Sequence, residues 1–273
     1  MQKILQEMGS IVLAYSGGVD STFLLKVASE VLGDKVLAVT AVSPTYTQEE
    51  YERACSMAYS LGVRHLSIET NELENPDFCE NPPDRCYYCK RELFQKLLTI
   101  AIREGIAFVA DASNLDDCSD YRPGRKAAAE AAIRSPLIEA ELRKNEIRIL
   151  SKKNGLPTWD IPSMACLASR FPYRETITLE KIRRVDRAER FLRDLGFRQV
   201  RVRSHDKLAR IEVDADRVHE LTTPGWRERI IGELKRLGFT YVTIDLEGYR
   251  TGSLNEVLLP EKAFNDTGKP QPR

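Results

Sequence analysis

Ser16-Gly17-Gly18-Val19-Asp20-Ser21 places two hydroxyls, two glycines and a carboxylate in six residues. It follows the apolar run Ile11 to Tyr15 and precedes a segment in which Phe23, Leu24, Val27, Ala28 and Val31 share a helical face. A glycine loop between a buried strand and a helix N-terminus offers unpaired N–H groups and the positive end of a helix dipole, both suited to a phosphate. Ser16 and Ser21 add donors, and Asp20 can cap the helix or help hold Mg²⁺ on a polyphosphate. The lysine-bearing sequence GxxxxGK[ST] is absent, so this is a different phosphate loop. Cys86 and Cys89 form a Cys-x-x-Cys pair, and Cys166 stands far downstream. Six cysteines in 273 residues are too few for a disulfide scaffold, so in a reducing compartment the close pair is a metal-binding or redox candidate. Arg201 and Arg203 alternate along a strand pattern and project from one face, with His205 and Arg210 nearby, as a second anion site or as a solvated edge strand.

These residues need a scaffold. Strand patterns at Val36 to Ala41, Arg64 to Ile68 and Ala107 to Ala110 alternate with helical patterns at Gln48 to Leu61 and Arg91 to Glu104. The alternation implies a parallel sheet covered on both faces, with ligands at the carboxyl ends of its strands, where the glycine loop, Ser43 and Asp111 fall. Asp111, Asn114 and Asp117 face that end or form a capping Asx-rich turn. Beyond about residue 165 the pattern changes. Phe191 to Phe197 with Val200 and Val202 is repeated as Glu233 to Phe239 with Val242 and Ile244. A strand at Ala209 to Val213 and a helix beginning near Asp214 lie between the copies, an order close to a ferredoxin-like α+β arrangement. The expected organisation is an α/β domain over residues 1–165, a smaller α+β domain over 166–264 and a disordered Gly/Pro-containing tail over 265–273. Trp159 and Trp226 read as packing residues.

The 41 basic and 41 acidic side chains cancel, which removes any bulk-charge argument for a polyanionic partner. No apolar run approaches the roughly 20 residues of a membrane span, and the first residues lack the apolar core of a signal peptide. The expectation is a cytoplasmic protein that binds neither membrane nor nucleic acid.

The glycine loop matches the SGGxDS motif of the PP-loop ATP pyrophosphatases. Asp84-Arg85-Cys86-Tyr87-Tyr88-Cys89-Lys90, Asp111 to Asp117, Asp120-Tyr121-Arg122-Pro123-Gly124 and Cys166 to Tyr173 extend the likeness, and the chain resembles the LarE family over nearly its whole length. Ala112 and Arg174 stand where that family usually has glycine. The resemblance implies an ATP-dependent sulfur transferase that makes the dithiolated pyridinium mononucleotide of the nickel-pincer cofactor of lactate racemase. Its substrate is a pyridinium mononucleotide with ring carboxylates. A carboxylate is a poor electrophile; attack on the α-phosphate of ATP makes an acyl adenylate whose leaving group is AMP, and loop amides with Mg²⁺ stabilise the departing pyrophosphate. ATP is then expected at Ser16, Gly17, Gly18, Asp20, Ser21, Ser43, Asp111, Asn114 and Asp117. Catalysis is expected from Cys166, Asp20, Ser169 and Arg170. The mononucleotide is expected at Arg201, Arg203, Tyr121 and Arg122, with Arg125 a further nucleotide contact.

Cys86, Cys89 and Cys166 are expected to hold a 4Fe-4S cluster, leaving Cys55, Cys79 and Cys118 outside it. Zinc would need a fourth ligand that no motif histidine supplies, whereas three cysteines leave one iron of a cluster open for sulfide. The family's other mode, in which the cysteine at position 166 gives up its own sulfur, is the alternative. A tRNA thiolase of the same superfamily and a nucleotide-binding regulator without turnover are the rival readings. Expected partners are a sulfur donor, a downstream nickel-inserting protein and further copies of the chain.

Overall fold

The computed structural model describes residues 1–118, 122–162 and 165–258. Tyr121 and the proposed tail at 265–273 lie outside the described residues. Helix α1 (Gln2–Met8) leads into β1 (Ile11–Ala14), α2 (Val19–Leu32), β2 (Val36–Val42), α3 (Gln48–Ser60) and β3 (Arg64–Glu69). A single turn, α4 (Pro76–Cys79), precedes the long α5 (Arg85–Glu104) and β4 (Phe108–Ala110), followed by α6 (Gly124–Glu130), α7 (Pro136–Glu139) and α8 (Lys144–Lys153). The four strands form a parallel sheet in the order β3-β2-β1-β4, with Leu13 opposite both Ala38 and Ala110. Adjacent strand residues face opposite ways, so the apolar runs fill two layers. Ile11, Leu13, Val36 and Ala38 pack with Phe23 and Leu24 of α2, Leu137 of α7 and Ile147 of α8. Val12, Leu37 and Val39 pack with Leu93, Phe94 and Leu97 of α5 and Ala127 of α6.

Helix α5 begins at Arg85, six residues before the apolar periodicity predicts. Its first turns do not face the sheet core. Tyr88 and Cys89 pack instead against the apolar cluster of the second unit, so their period is invisible in the pattern that begins at Leu93. The Cys-x-x-Cys pair therefore sits in the first turns of a helix.

The second unit contains α9 (Leu179–Asp194), β5 (Val200–His205), β6 (Leu208–Val213), α10 (Trp226–Arg236) and β7 (Tyr241–Ile244). Its sheet runs β5-β6-β7, antiparallel then parallel. The helix expected near Asp214 is a 3₁₀ segment, Ala215–Thr222, and the α-helix starts only after Pro224 and Gly225, the latter at φ 86°. The repeat is carried into packing, for the Arg217 guanidinium lies over Phe197 at 4.5 Å and Arg184 lies over Phe239 at 4.6 Å. Trp226 packs edge-on against Phe197, as its packing role predicts.

Residues 165–178 tie the units together. Leu167 N–H donates to Thr45 O at 2.8 Å, Asn81 Nδ2 donates to Pro172 O at 2.7 Å, and Ile177 N–H donates to Cys79 O at 2.8 Å. Among the described residues, no helix is long and apolar enough to cross a membrane.

Candidate active site

The phosphate loop is built as its sequence requires. Gly17 has φ +68°, and a Cβ there would lie 2.8 Å from Ala54 Cα of α3, so the tight passage accepts only glycine. Ser16 is exposed, and its hydroxyl is 3.1 Å from that of buried Ser21, which donates to Gly18 O at 3.3 Å. Gly18 caps α2, leaving the first N–H groups of a 14-residue helix facing the loop. Asp20 lies in the first turn. One of its oxygens, Oδ2, accepts from the Lys144 ammonium at 2.6 Å, and the other, Oδ1, is buried without a hydrogen-bond partner.

Lys144 is the residue that sequence reading missed. It opens α8, and its own N–H donates to Asp116 Oδ2 at 2.9 Å, so one lysine joins the Asx-rich turn after β4 to the phosphate loop. Within that turn, Asp111 accepts from Ser113 Oγ and Ser135 Oγ, both at 2.7 Å. Asn114 Oδ1 accepts from Asp116 N–H, and Asn114 N–H donates to Asp117 Oδ2. Asp117 also pairs with Arg122 at 2.9 Å. Asp111 and Asn114 are buried and shape the turn, whereas Asp117 and Arg122 reach its outer side. Arg125 donates to Cys118 O at 3.4 Å. Ser43 bonds to Thr45 at 2.8 Å, in the loop whose Thr45 carbonyl anchors the Cys166 segment.

The cysteines are all free. Cys86, Cys89 and Cys166 are partly buried and within electrostatic reach of one another. Burial, then Glu72, Cys166 and Cys86, push the Cys89 thiol well above its ordinary range. Burial also raises Cys166, offset in part by the Arg85 and Arg170 guanidinium groups. Among the described residues, no three His, Cys, Asp or Glu side chains are gathered tightly enough to grip one metal ion. Of the other cysteines, Cys79 donates to Leu73 O at 3.2 Å, Cys118 is exposed, and Cys55 lies on α3.

Behind Cys166 lies a buried guanidinium cluster. Arg170 grips Glu189 through Nε at 2.7 Å and Nη2 at 3.0 Å, while Nη1 reaches the carbonyls of Ala165 and Cys166 and the hydroxyl of Ser169. Arg203 grips Glu212 through two 2.9 Å bonds and donates to Ser169 O. Arg201 lies over the Tyr249 ring at 5.1 Å, and burial together with the neighbouring Arg170 charge lowers its pKa to about 10. Arg201 and Arg203 are only 6% and 7% exposed, although β5 is an edge strand, because Tyr249 lies against Arg201 and Ser253 and the Ser169 carbonyl lie against Arg203. The solvated-edge alternative is thereby removed.

A family model described as NAD synthase matches residues 2–76, the stretch holding the phosphate loop. An uncharacterized protein of Synechocystis sp. is 47% identical over 94% of this chain and 96% of its own. The pyridinium-3,5-bisthiocarboxylic acid mononucleotide synthase of Lactiplantibacillus plantarum is 41% identical, over 93% of this chain and 92% of its own. The chain belongs to the LarE family of these synthases. The NH(3)-dependent NAD(+) synthetase of Chlorobaculum tepidum, 27% identical over 55% of this chain, marks the wider kinship of the ATP-binding half.

Asp20 Oδ1 is a buried carboxylate oxygen with no protein donor, the kind of atom a Mg²⁺ on a polyphosphate would satisfy. Cys86, Cys89 and Cys166 form no disulfide and are soft donors that become thiolate when metal displaces their protons. The carboxylate oxygen matches a hard cation, and the thiols match iron–sulfur chemistry in donor type.

Proposed function

We propose that this protein is an ATP-dependent sulfur transferase that adenylates the ring carboxylates of a pyridinium dicarboxylate mononucleotide and converts them to thiocarboxylates. The observation that carries the reading is the 2.8 Å bond from Leu167 N–H to Thr45 O. It holds the Cys166 segment at the carboxyl end of β2, next to β1, whose own carboxyl end opens into the phosphate loop. The adenylating and sulfur-donating groups therefore share one edge of the sheet.

Ser16 and the N–H groups at the start of α2 bind the leaving pyrophosphate, and the Lys144 charge is held over it by Asp20 and by the Asp116 contact to its backbone. Mg²⁺, held by Asp20, would neutralise the polyphosphate. Arg170 fixes the backbone at Ala165 and Cys166 and so sets where the thiol stands; it is a positioning residue. The cluster of Arg170, Arg201 and Arg203 shares two buried glutamates, and burial followed by the neighbouring Arg170 charge lowers the pKa of Arg201, a concentration of guanidinium groups suited to a substrate phosphate. Cys86, Cys89 and Cys166 would hold a 4Fe-4S cluster, which supplies a place for sulfide on its cysteine-free iron. A sulfur donor and further copies of the chain complete the proposed set of partners.

The test is anaerobic purification with metal analysis. Iron and acid-labile sulfide near four each per chain are expected, a count that follows from a cubane, and each single Cys→Ala change at 86, 89 or 166 should lose both. Protein that ends turnover lighter by one sulfur atom, with Cys166 as the altered residue, would replace the cluster with the sacrificial mode.

A further inference from the structure

The arginine cluster is covered in part by one short stretch of chain. After β7 the backbone turns at Gly248, whose φ is +71° and where a Cβ would lie 2.7 Å from Val213 O, and Tyr249 N–H donates to that same carbonyl at 2.7 Å. The turn is thereby fixed on β6 and admits only glycine. From this fixed point the Tyr249 ring lies against Arg201, and further on Ser253 Oγ accepts from Arg203 Nη2 at 3.0 Å. The Tyr173 hydroxyl donates to Asn255 Oδ1 at 2.7 Å. Otherwise the stretch is slightly attached. The 3₁₀ segment Ser253–Leu258 has no buried residue, Thr251 and Gly252 are exposed, and Val257 is 76% exposed. Arg250 pairs with Glu256, which braces the stretch against itself rather than against the core. A segment with so few buried contacts opens at low cost compared with the fold beneath it.

The bonds of Arg203 show which contact can be exchanged. Its Nε and Nη2 grip Glu212, its Nη1 donates to Ser169 O, and Nη2 gives its second hydrogen to the Ser253 hydroxyl. Glu212 is itself shared with Arg210, 3.1 Å away. A neutral hydroxyl is a modest partner for a guanidinium, and a phosphate oxygen in its place makes a charge-assisted bond about twice as strong. We infer that residues 250–258 are a lid over the arginine cluster, in which the Ser253 hydroxyl holds, on Arg203, the place taken by the phosphate of the mononucleotide. This rests on the assignment of the cluster to the substrate phosphate made above. On binding, the phosphate replaces Ser253 at Nη2 and the lid moves about the fixed turn at Gly248 and Tyr249. One hydrogen-bond acceptor is exchanged for another, and no covalent bond changes. A nucleoside without the phosphate has nothing to exchange, so the lid selects the phosphorylated substrate.

The wild-type protein and Ser253→Ala are titrated, without ATP, with pyridinium-3,5-dicarboxylate mononucleotide and with the corresponding nucleoside, and amide hydrogen exchange of residues 250–258 is followed in each mixture by mass spectrometry. Ser253 is partly exposed and outside the core, so alanine there leaves the fold intact. The mononucleotide should speed exchange in the lid of the wild-type protein, and the nucleoside should leave it unchanged. Ser253→Ala should bind the mononucleotide at least about tenfold more tightly, the scale of one hydrogen bond to a charged group, and bind the nucleoside as the wild type does. Equal mononucleotide affinity in the two proteins, or a lid whose exchange stays constant or slows when the mononucleotide binds, would overturn the lid while leaving the phosphate site in place. A mononucleotide bound no better than the nucleoside by either protein would overturn the phosphate site and the lid together.

Discussion

Asp20 and Lys144 are separated by 124 residues and joined by a 2.6 Å contact. Both side chains remain partly solvent-exposed, so the pair contributes less than about 1 kcal/mol to stability, and its value is electrostatic. Asp20→Ala and Lys144→Ala should therefore each leave the melting temperature nearly unchanged while lowering pyrophosphate release by roughly 10²- to 10³-fold, the cost of removing a preorganised charge from a transition state. A coupled pyrophosphate assay reads this, and undiminished release in either variant would remove that residue from the adenylation site. The thiols make a second prediction at this scale. Cys89 and Cys166 have pKa values raised by burial, whereas Cys118 is exposed. In metal-free protein at about pH 8, iodoacetamide should label Cys118 first, since thiolate and access together set the rate. Peptide mass mapping that finds Cys166 labelled as fast as Cys118 would contradict the burial argument. Asp20 was legible in the sequence because its motif is contiguous. Lys144 was not, because a lysine at a helix start looks solvated until the fold brings it to the loop.

Arg170 on the Cys166 loop and Glu189 on α9 form a buried bidentate pair, and Glu189 also accepts from Val202 N–H of β5 at 3.0 Å. The loop, the helix and the second sheet thus meet at one carboxylate. Glu189→Gln leaves a buried guanidinium poorly matched and should cost about 3–5 kcal/mol in denaturant unfolding at neutral pH. The pH dependence follows from the direction of the shift. The Arg170 charge holds Glu189 below its ordinary carboxylate range despite burial. The carboxylate's contribution is therefore complete above the unfolded pKa of about 4.3 and is lost as pH falls through the lower folded value. The gap between wild type and variant should be constant near neutrality and close in strong acid; a gap that instead widens on acidification would reverse the assigned sign. In the other unit, Gly17→Ala should destabilise by about 1–3 kcal/mol, combining a left-handed φ with a clash against α3, and a neutral result in thermal unfolding would deny that close approach. The strands and helices of the first unit were readable from alternating apolar runs, because a core buried on both faces writes its period into the sequence. The first turns of α5 and the 3₁₀ segment after β6 were not, because Cys89 and Leu221 answer to the second core rather than to the first.

At the scale of the whole molecule, two sheets are joined by a segment that carries Cys166 and returns to the first sheet at Thr45, Asn81 and Cys79. The phosphate loop lies in one unit, the guanidinium cluster in the other, and the thiols come from both. On the proposed assignment of these residues, adenylation and sulfur delivery happen without release of the activated carboxylate. The measurement that tests this most directly is a single-turnover reaction under anaerobic conditions, with the purified protein, ATP, Mg²⁺ and pyridinium-3,5-dicarboxylate mononucleotide, followed by mass spectrometry of the nucleotide and assay of pyrophosphate and AMP. The expected result is a mononucleotide in which one carboxylate oxygen has been exchanged for sulfur, with one AMP and one pyrophosphate for each exchange. Pyrophosphate released without any sulfur entering the ring carboxylate, in protein still carrying its sulfur, would contradict the account.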